Sequence, residues 1–521
     1  MKFSFRIRRG VSCLLCISLL SGPAGVVPAS AQNLPNLGEE SATALPPQME
    51  KRIGESYYRD LRRDPAFLDD PELTAYVTEL GRRLIAAGPD PGMEVEFFVM
   101  RDPSINAFAM LGGYIGVNTG LITASQGESE VASVFGHEIA HLTQHHIARS
   151  VSAGQRASIV SMVALAVAIL AARSNSQVAA GAAAGAQAFQ VQSQLAYSRD
   201  FEREADRVGF DMLQKAGFDV SAMPLFFERL QRAGRVYDST APVYVRSHPL
   251  TTERIADVRN RAQEARYRQH VDTLSYHLVR AKLRATGDGG VDAVRDALGF
   301  FKAQISNRSF NNEAATRYGL AQAHLLAREF GAAAQALAAL PQSVAHPMID
   351  ALAARIKTGA GDLPGAIDTY RRALAKFPHA RYLETALVES LQGAGRHDEA
   401  LELLAAQQVR GPHTDPRVFE LKARSHAALG KPMSQHQALG EYYFRTSSAQ
   451  AALEQFQLAR CAGGGDFYQQ SIIDARIRDT WERLVTERAD RGEGDKSGAT
   501  GGGARGAQPV QPVQQIPMRC R

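Results

Sequence analysis

Apolar residues recur along this chain at two different spacings, and the change between them marks its organisation. From Glu50 to Leu61 and from Glu72 to Ala87 they return every three or four positions, which predicts two helices. Val95 to Met100 and Tyr114 to Asn118 are short runs of strand-forming residues, and Gly112-Gly113 precede the second. Glu128 to Ser150 predicts one long helix, with Val131, Val134, Phe135 and Ala140 on its apolar side. Residues 199–216 predict another helix, charged on one side and ended by Gly217. Residues 221–232 read as helical, and 236–253, with Pro242 and Pro249, as a loop. Between them, 157–172 is an uncharged apolar run followed by an Ala/Gly-rich stretch to Ala188. That run is shorter than the ~18–20 residues a membrane span needs. Two readings stay open for it: a buried helix pair, or an element that faces a membrane surface or a substrate.

From about residue 270 the pattern becomes helical throughout, rich in Ala, Leu, Arg and Gln. Ala332, Ala366 and Ala400 are spaced by 34 residues, and Ala366, Ala373 and Pro378 repeat the spacing of Ala400, Gln407 and Pro412. Gly361-Asp362, Gly395-Arg396 and Gly430-Lys431 mark turns between paired helices. This register resembles the tetratricopeptide repeat, a helix–turn–helix unit that stacks into a curved solenoid with a concave binding face. Residues 32–48 read as a linker, and 490–521, rich in Gly, Gln and Pro, as a disordered tail.

The first residues are of another kind. Lys2, Arg6, Arg8 and Arg9 precede an uncharged apolar run from Val11 to Leu20, and Ala29-Ser30-Ala31 is a small-residue cleavage site. These three regions predict a signal peptide over 1–31. Its removal changes the picture of charge. The whole chain of 521 residues carries +5, but without 1–31 the formal charge is +1, so no basic footprint for nucleic acid remains. Hydrophobic residues at 45% and charged residues at 22% exclude wholesale disorder. Cys13 and Cys16 leave with the signal. Cys461 and Cys520 remain, either as a disulfide in an oxidising compartment or as two free thiols.

The chemistry concentrates at His137-Glu138-Ile139-Ala140-His141, inside the predicted 128–150 helix. Residues i and i+4 share a helix face, so His137 and His141 can bind one Zn²⁺ together. Glu138, rotated by ~100° around the helix, can take a proton from a water that attacks a carbonyl and pass it to a leaving amine. A catalytic zinc needs a third protein ligand, and no H-x-x-G-x-x-H follows His141. Glu202-Arg203-Glu204-Ala205-Asp206 offers one: Glu202 as ligand and Asp206, one turn on, orienting a ligand histidine. Taken alone, that pair reads as an ordinary charged helix face.

H-E-x-x-H followed some sixty residues later by E-x-x-A-D resembles the zinc metallopeptidase family that includes HtpX and the CAAX-processing membrane proteases. Asn106-Ala107-Phe108-Ala109 with Gly112-Gly113 and a following strand is similar to that family's edge strand above the cleft. Met110-Leu111 stand where the family often has proline. A signal peptide before the domain and repeats after it resemble the periplasmic BepA-type subgroup. The resemblance implies His137, His141 and Glu202 as ligands of one Zn²⁺ per chain, Glu138 as general base and Asp206 as supporting carboxylate. It implies that His248, in Ser247-His248-Pro249, can occupy the open position of the zinc and hold the enzyme latent. Arg254 falls in the same matching segment without an assigned role. His145 continues the His137/His141 face one turn on and reads as a solvated or hydrogen-bonded histidine. An extended peptide pairing with Asn106–Ala109 would gain main-chain hydrogen bonds with little regard to sequence.

The expected fold is α+β and mainly α. A zincin-like metallopeptidase domain with a small sheet spans 45–265, and a repeat solenoid spans 270–485. The expected function is zinc-dependent endopeptidase action in the periplasm on misfolded or stalled envelope proteins. The family resemblance implies outer-membrane β-barrels as clients and the barrel-assembly machinery as a partner of the repeats. Residues 157–188 are the candidate membrane contact. The alternative is an assembly chaperone that works through its repeats and keeps its metal site latent.

Overall fold

The computed structural model describes residues 45–152, 199–236, 243–287, 290–409, 415–446 and 449–490. The expected signal peptide, the whole 157–188 run and the C-terminal tail lie outside them.

Helix α1 (Pro47–Leu61) leads to α2 (Pro71–Ala86). Asp70 caps α2 by accepting from the Glu72 and Leu73 amides at 3.0 and 3.2 Å. Leu73, Val77, Leu80 and Leu84 return at helical spacing and turn its buried face inward. Strands β1 (Glu96–Met100), β2 (Ala107–Met110) and β3 (Tyr114–Asn118) follow. Their order is β1-β3-β2, with β1 parallel to β3 and β2 antiparallel to it. The hairpin between β2 and β3 thus leaves β2 on an edge of the sheet. Helix α3 (Thr119–Ala124) leads to α4 (Glu128–Thr143), which packs against β2. Every residue of α4 from Glu128 to Leu142 is buried, so this helix is enclosed on all sides rather than amphipathic.

The helix expected over 128–150 is broken. Helix α4 stops at Thr143, His145 takes a left-handed φ of 51°, and α5 (His146–Ser152) starts anew. A left-handed residue after the C-cap is a common helix stop, normally written by glycine or asparagine. Here histidine fills that place, so the sequence carried no visible signal. Helix α6 (Arg199–Lys215) ends at Gly217 as its spacing predicts, and α7 (Ala222–Val236) follows. The stretch expected to be a loop contains a short helix, α8 (Val243–Ser247), and then α9 (Thr252–Glu264), capped by the Thr251 hydroxyl. Five residues of helix are too few for periodicity to show.

Helices α4 and α6 cross at Gly136 and Gly209. A Cβ placed on Gly209 would lie 2.9 Å from both the Gly136 carbonyl carbon and the His137 nitrogen. Only a pair of glycines permits this backbone-to-backbone contact.

The remaining helices pair along the chain: α10 (Leu274–Thr286) and α11 (Val291–Ser306), α12 (Glu313–Leu326) and α13 (Phe330–Ala338), α14 (Pro347–Gly359) and α15 (Leu363–Lys376). Then come α16 (Arg381–Gly393) and α17 (His397–Val409), α18 (Pro416–Ala428) and α19 (Pro432–Thr446), α20 (Ala449–Ala462) and α21 (Phe467–Asp490). The turn glycines Gly361, Gly395 and Gly430 have φ of 86°, 73° and 64°, the left-handed helix stop their positions predict. Ala366 and Ala400 are fully buried; in the unit before them Ala333, not Ala332, takes that place. Cys461 is disulfide-bonded. No helix among the described residues is long and apolar enough to cross a membrane.

The repeats are joined to the rest by more than a linker. One buried apolar cluster continues from Leu73 through Tyr276 and Tyr318 to Ile356. Lys282 and Arg355, both from repeat helices, pair with the buried Glu72 of α2 at 2.6 and 3.0 Å. Asp272 accepts from the Glu128 amide at 2.8 Å, while the Glu128 carboxylate accepts from the Thr273 amide and hydroxyl. The first turns of α4 and α10 therefore cap one another.

The glycine crossing makes a graded prediction. Gly209→Ala gains up to about 1 kcal/mol of helix propensity, but overpacking costs about 1–3 kcal/mol. Because the opposing atoms are backbone, a net loss is expected in urea unfolding. Gly299→Ala, where a Cβ meets nothing within 4 Å, should raise stability by about 0.5–1 kcal/mol. Equal effects at the two sites would show that the crossing is not constrained.

Candidate metal centre

Three elements supply the centre. Helix α4 presents His137 and His141 one turn apart, α6 presents Glu202 and Asp206 one turn apart, and the end of α8 presents His248. His141 Nε2 lies 3.0 Å from His137 Nε2, which lies 3.3 Å from His248 Nδ1. Glu202 oxygens stand 3.0 Å from His248 Nδ1, 3.4 Å from His137 Nε2 and 3.5 Å from His141 Nε2.

These distances test whether a metal fits. Four ligands placed tetrahedrally at 2.0–2.1 Å from zinc stand ~3.3–3.4 Å from one another. The five separations above fall around that value, and all four side chains turn a donor atom toward the same point. Three imidazoles and a carboxylate form a borderline-hard set that suits a divalent transition metal. All four residues are 2% exposed or less.

A surrounding layer fixes their orientation. Asp206 Oδ1 stands 2.9 Å from His137 Nδ1. Arg254 reaches both Asp206 oxygens, at 2.7 and 2.8 Å, through Nε and Nη2. Its Nη1 meets Glu202 Oε2 at 2.7 Å and donates to the Pro249 carbonyl at 2.8 Å. Burial alone would push the Asp206 carboxyl up, but the Arg254 guanidinium holds it below the usual carboxylate range. Glu202 is held well below that range, against its burial, by His248 and His137. Burial keeps the His141 imidazole well below its ordinary value, so its lone pair stays available.

Glu138 faces away from its helix toward β2. Its Oε2 accepts from the Ala109 amide at 3.0 Å, and its Oε1 is buried without a hydrogen-bond partner, 3.5 Å from His248 Nε2. Burial pushes its carboxyl up, toward the range where a base can also release its proton. The contact with Ala109 follows from sheet register. Asn118 donates to the Asn106 carbonyl, so the main-chain groups of Ala107 and Ala109 alternate to the open edge. Asn106 and Ala107 are buried, Phe108 and Ala109 half-buried. The Asn106 side-chain oxygen has no partner. Tyr244, fully buried, stacks on His248 with ring centroids 4.8 Å apart, and its amide donates to the Ile105 carbonyl. Helix α8 and His248 thus lie over the start of β2 and close the centre from solvent.

The structure gathers His137, Glu138, His141, Glu202, Asp206 and His248 into one site beside Asn106–Ala109. His145 is not among them; the helix has ended there and the side chain is exposed. Sequence reading gave Arg254 no role and did not single out Tyr244, because their partners stand 48 and 139 residues away at Asp206 and Ile105. His146, which also matches the family's sequence pattern, lies 2.8 Å from His141.

A buried cluster of histidines and a carboxylate, with a second carboxylate facing an edge strand, is the site of a metallopeptidase. Comparison with known proteins agrees. Residues 71–262 match the model of peptidase family M48, and 358–425 match a tetratricopeptide repeat. A putative beta-barrel assembly-enhancing protease of Vibrio cholerae is 38% identical over 345 residues, covering 65% of this chain and 70% of that protein. The beta-barrel assembly-enhancing protease of Escherichia coli is 29% identical over 473 residues, 90% of this chain and 95% of that protein. The mitochondrial metalloendopeptidase OMA1 of Schizosaccharomyces pombe is 28% identical over 232 residues, 44% of this chain and 65% of that protein. The chain belongs to peptidase family M48 and is a metallopeptidase with a tetratricopeptide-repeat domain.

Arg254→Met should leave two buried carboxylates without their cation and cost about 3–5 kcal/mol in urea unfolding. The pH dependence has a definite sign. A carboxyl held below its unfolded value stabilises the fold above that value and loses the contribution as pH falls through the depressed one. Without Arg254 the acid-unfolding midpoint should move to higher pH. An unchanged midpoint would show that Arg254 does not set the charge of Asp206.

Proposed function

We propose that this chain is a zinc-dependent endopeptidase of the periplasm that acts on misfolded or stalled envelope proteins. The carrying observation is Glu138: one oxygen is fixed by the edge strand, the other is unpaired beside the four-ligand cluster. His137, His141 and Glu202 would hold one Zn²⁺, and Asp206 would orient His137. When bound, the ion supplies Lewis-acid polarisation of a carbonyl and lowers the pKa of water to about 7. Glu138 Oε1 takes the proton of the attacking water and delivers it to the leaving amine. The Ala109 amide keeps Glu138 aimed while it does so. The open side of Asn106–Ala109 would take a client backbone as an added strand, which suits unfolded chains of many sequences.

His248 is the latch in this reading. As a fourth protein ligand it completes a closed, structural-type coordination set and leaves no place for water. Its removal with α8 would uncover the start of β2 and free the fourth position together. The names of the Vibrio and Escherichia relatives support outer-membrane β-barrel proteins as clients and the barrel-assembly machinery as a partner of the repeats. The basic, apolar and small-residue succession of 1–31 supports export to the periplasm. A peptidase unit of about 45–265 and a repeat unit of 270–485 would divide catalysis from docking. Residues 157–188 would be the membrane contact. The insertion of His248 also favours a second reading, an assembly chaperone that works through its repeats while the metal site stays latent.

The test is cleavage of an unfolded model protein by the zinc-loaded mature chain. Wild type should be slow, His248→Ala several-fold faster, and Glu138→Gln slower than His248→Ala by about 10²–10⁴-fold. If all three leave the substrate intact with zinc bound, the chaperone reading takes first place.

A further inference from the structure

We infer that His146 is a positioning residue of the metal centre: it fixes the ring of His141 and the tautomer that leaves Nε2 bare for a cation. This rests on the metal-centre reading above. His146 is fully buried, and its Nδ1 lies 2.8 Å from His141 Nδ1. Across that distance one nitrogen must donate and the other accept. His141 Nε2 is turned to the cluster, so to bind a cation it must carry its proton on Nδ1 and donate it to His146. His146 then has its own proton on Nε2, where Glu204 Oε2 accepts at 3.1 Å. Arg149 donates to the same oxygen at 2.9 Å. With His141 Nε2 kept for a cation, this arrangement of protons satisfies each of these contacts.

The ring of His146 cannot turn to escape it. Phe201 stacks on it at 4.6 Å and 12°, and the Arg149 guanidinium lies 4.6 Å from the Phe201 ring. The break in the helix makes the contact available. On a continuous helix a residue five places beyond His141 would lie ~140° around the axis. The left-handed turn at His145 brings it back beside His141. Helix α6 therefore serves both histidines of α4. Asp206 reaches His137 directly, and Glu204 reaches His141 through His146.

The test measures Zn²⁺ affinity of the mature full-length chain by competition with a chelator, alongside thermal unfolding. His146→Leu should weaken binding by about 10–100-fold, the usual effect of losing a ligand's outer partner. His146→Asn should recover most of it, because its Oδ1 can stand in for the accepting Nδ1. Glu204→Ala should weaken binding several-fold, and His145→Gly, which keeps the left-handed turn at this exposed position, should leave it unchanged. Wild-type affinity in His146→Leu, or equal losses in the Leu and Asn variants, would overturn the assignment in favour of simple packing. Should His146→Leu not fold, Glu204→Ala decides, and an unchanged affinity there overturns it. A wild-type chain that takes up no Zn²⁺ overturns the metal centre itself, and the relay with it.

Discussion

Gly136 and Gly209 touch backbone to backbone, and the chemistry depends on that contact. Packed helices normally keep their axes about 8–10 Å apart, a spacing set by the side chains between them. Here nothing stands between. The residue after Gly136 is His137, and Asp206 lies one turn before Gly209. The crossing brings the histidines of one helix within 3.5 Å of the carboxylate of the other. A side chain at the crossing would part the two halves of the site before it touched a ligand.

Burial gives the site its second constraint. Glu138, Glu202, Asp206 and Arg254 are all nearly inaccessible, a costly set of charges to take out of water. The structure offsets that cost by giving most carboxylate oxygens a named partner. Two oxygens have no hydrogen bond, Glu138 Oε1 and Glu202 Oε2, and both stand beside the clustered histidines. Arg254 has the widest reach, since it touches a ligand, a ligand's supporting carboxylate and the carbonyl that follows His248. The segment that carries His248 and the carboxylates of α6 are therefore held by the same guanidinium.

Much of this was legible in the chain, and the limits are physical. Spacing of i and i+4 places His137 with His141 and Glu202 with Asp206, because a helix fixes which residues share a face. The 34-residue register and its turn glycines mark the repeats for the same reason. What spacing cannot carry is contact between distant segments, so Arg254 and Tyr244 stayed without partners until the fold supplied them. The helix stop at His145 was hidden because a left-handed turn was made without glycine. That hidden break explains why His145, the residue on the expected face, is exposed, while its neighbour turns inward.

The shared core has a consequence for where this molecule can be divided. The apolar cluster of the peptidase part runs unbroken into the repeats as far as Ile356, and a separate cluster begins at Ala351. Residues 265–270 are mostly exposed, but they run over a continuous interior where the first turns of α4 and α10 cap each other. Cutting there would bare Tyr276 and its neighbours and strip the active-site helix of its cap. The border between the two apolar interiors thus lies inside the solenoid, near its third helix pair, and the Arg417–Asp69 ion pair at 3.1 Å ties a later helix back across it. The first repeats belong to the enzyme's foundation, so the two parts share one interior rather than meeting at a hinge.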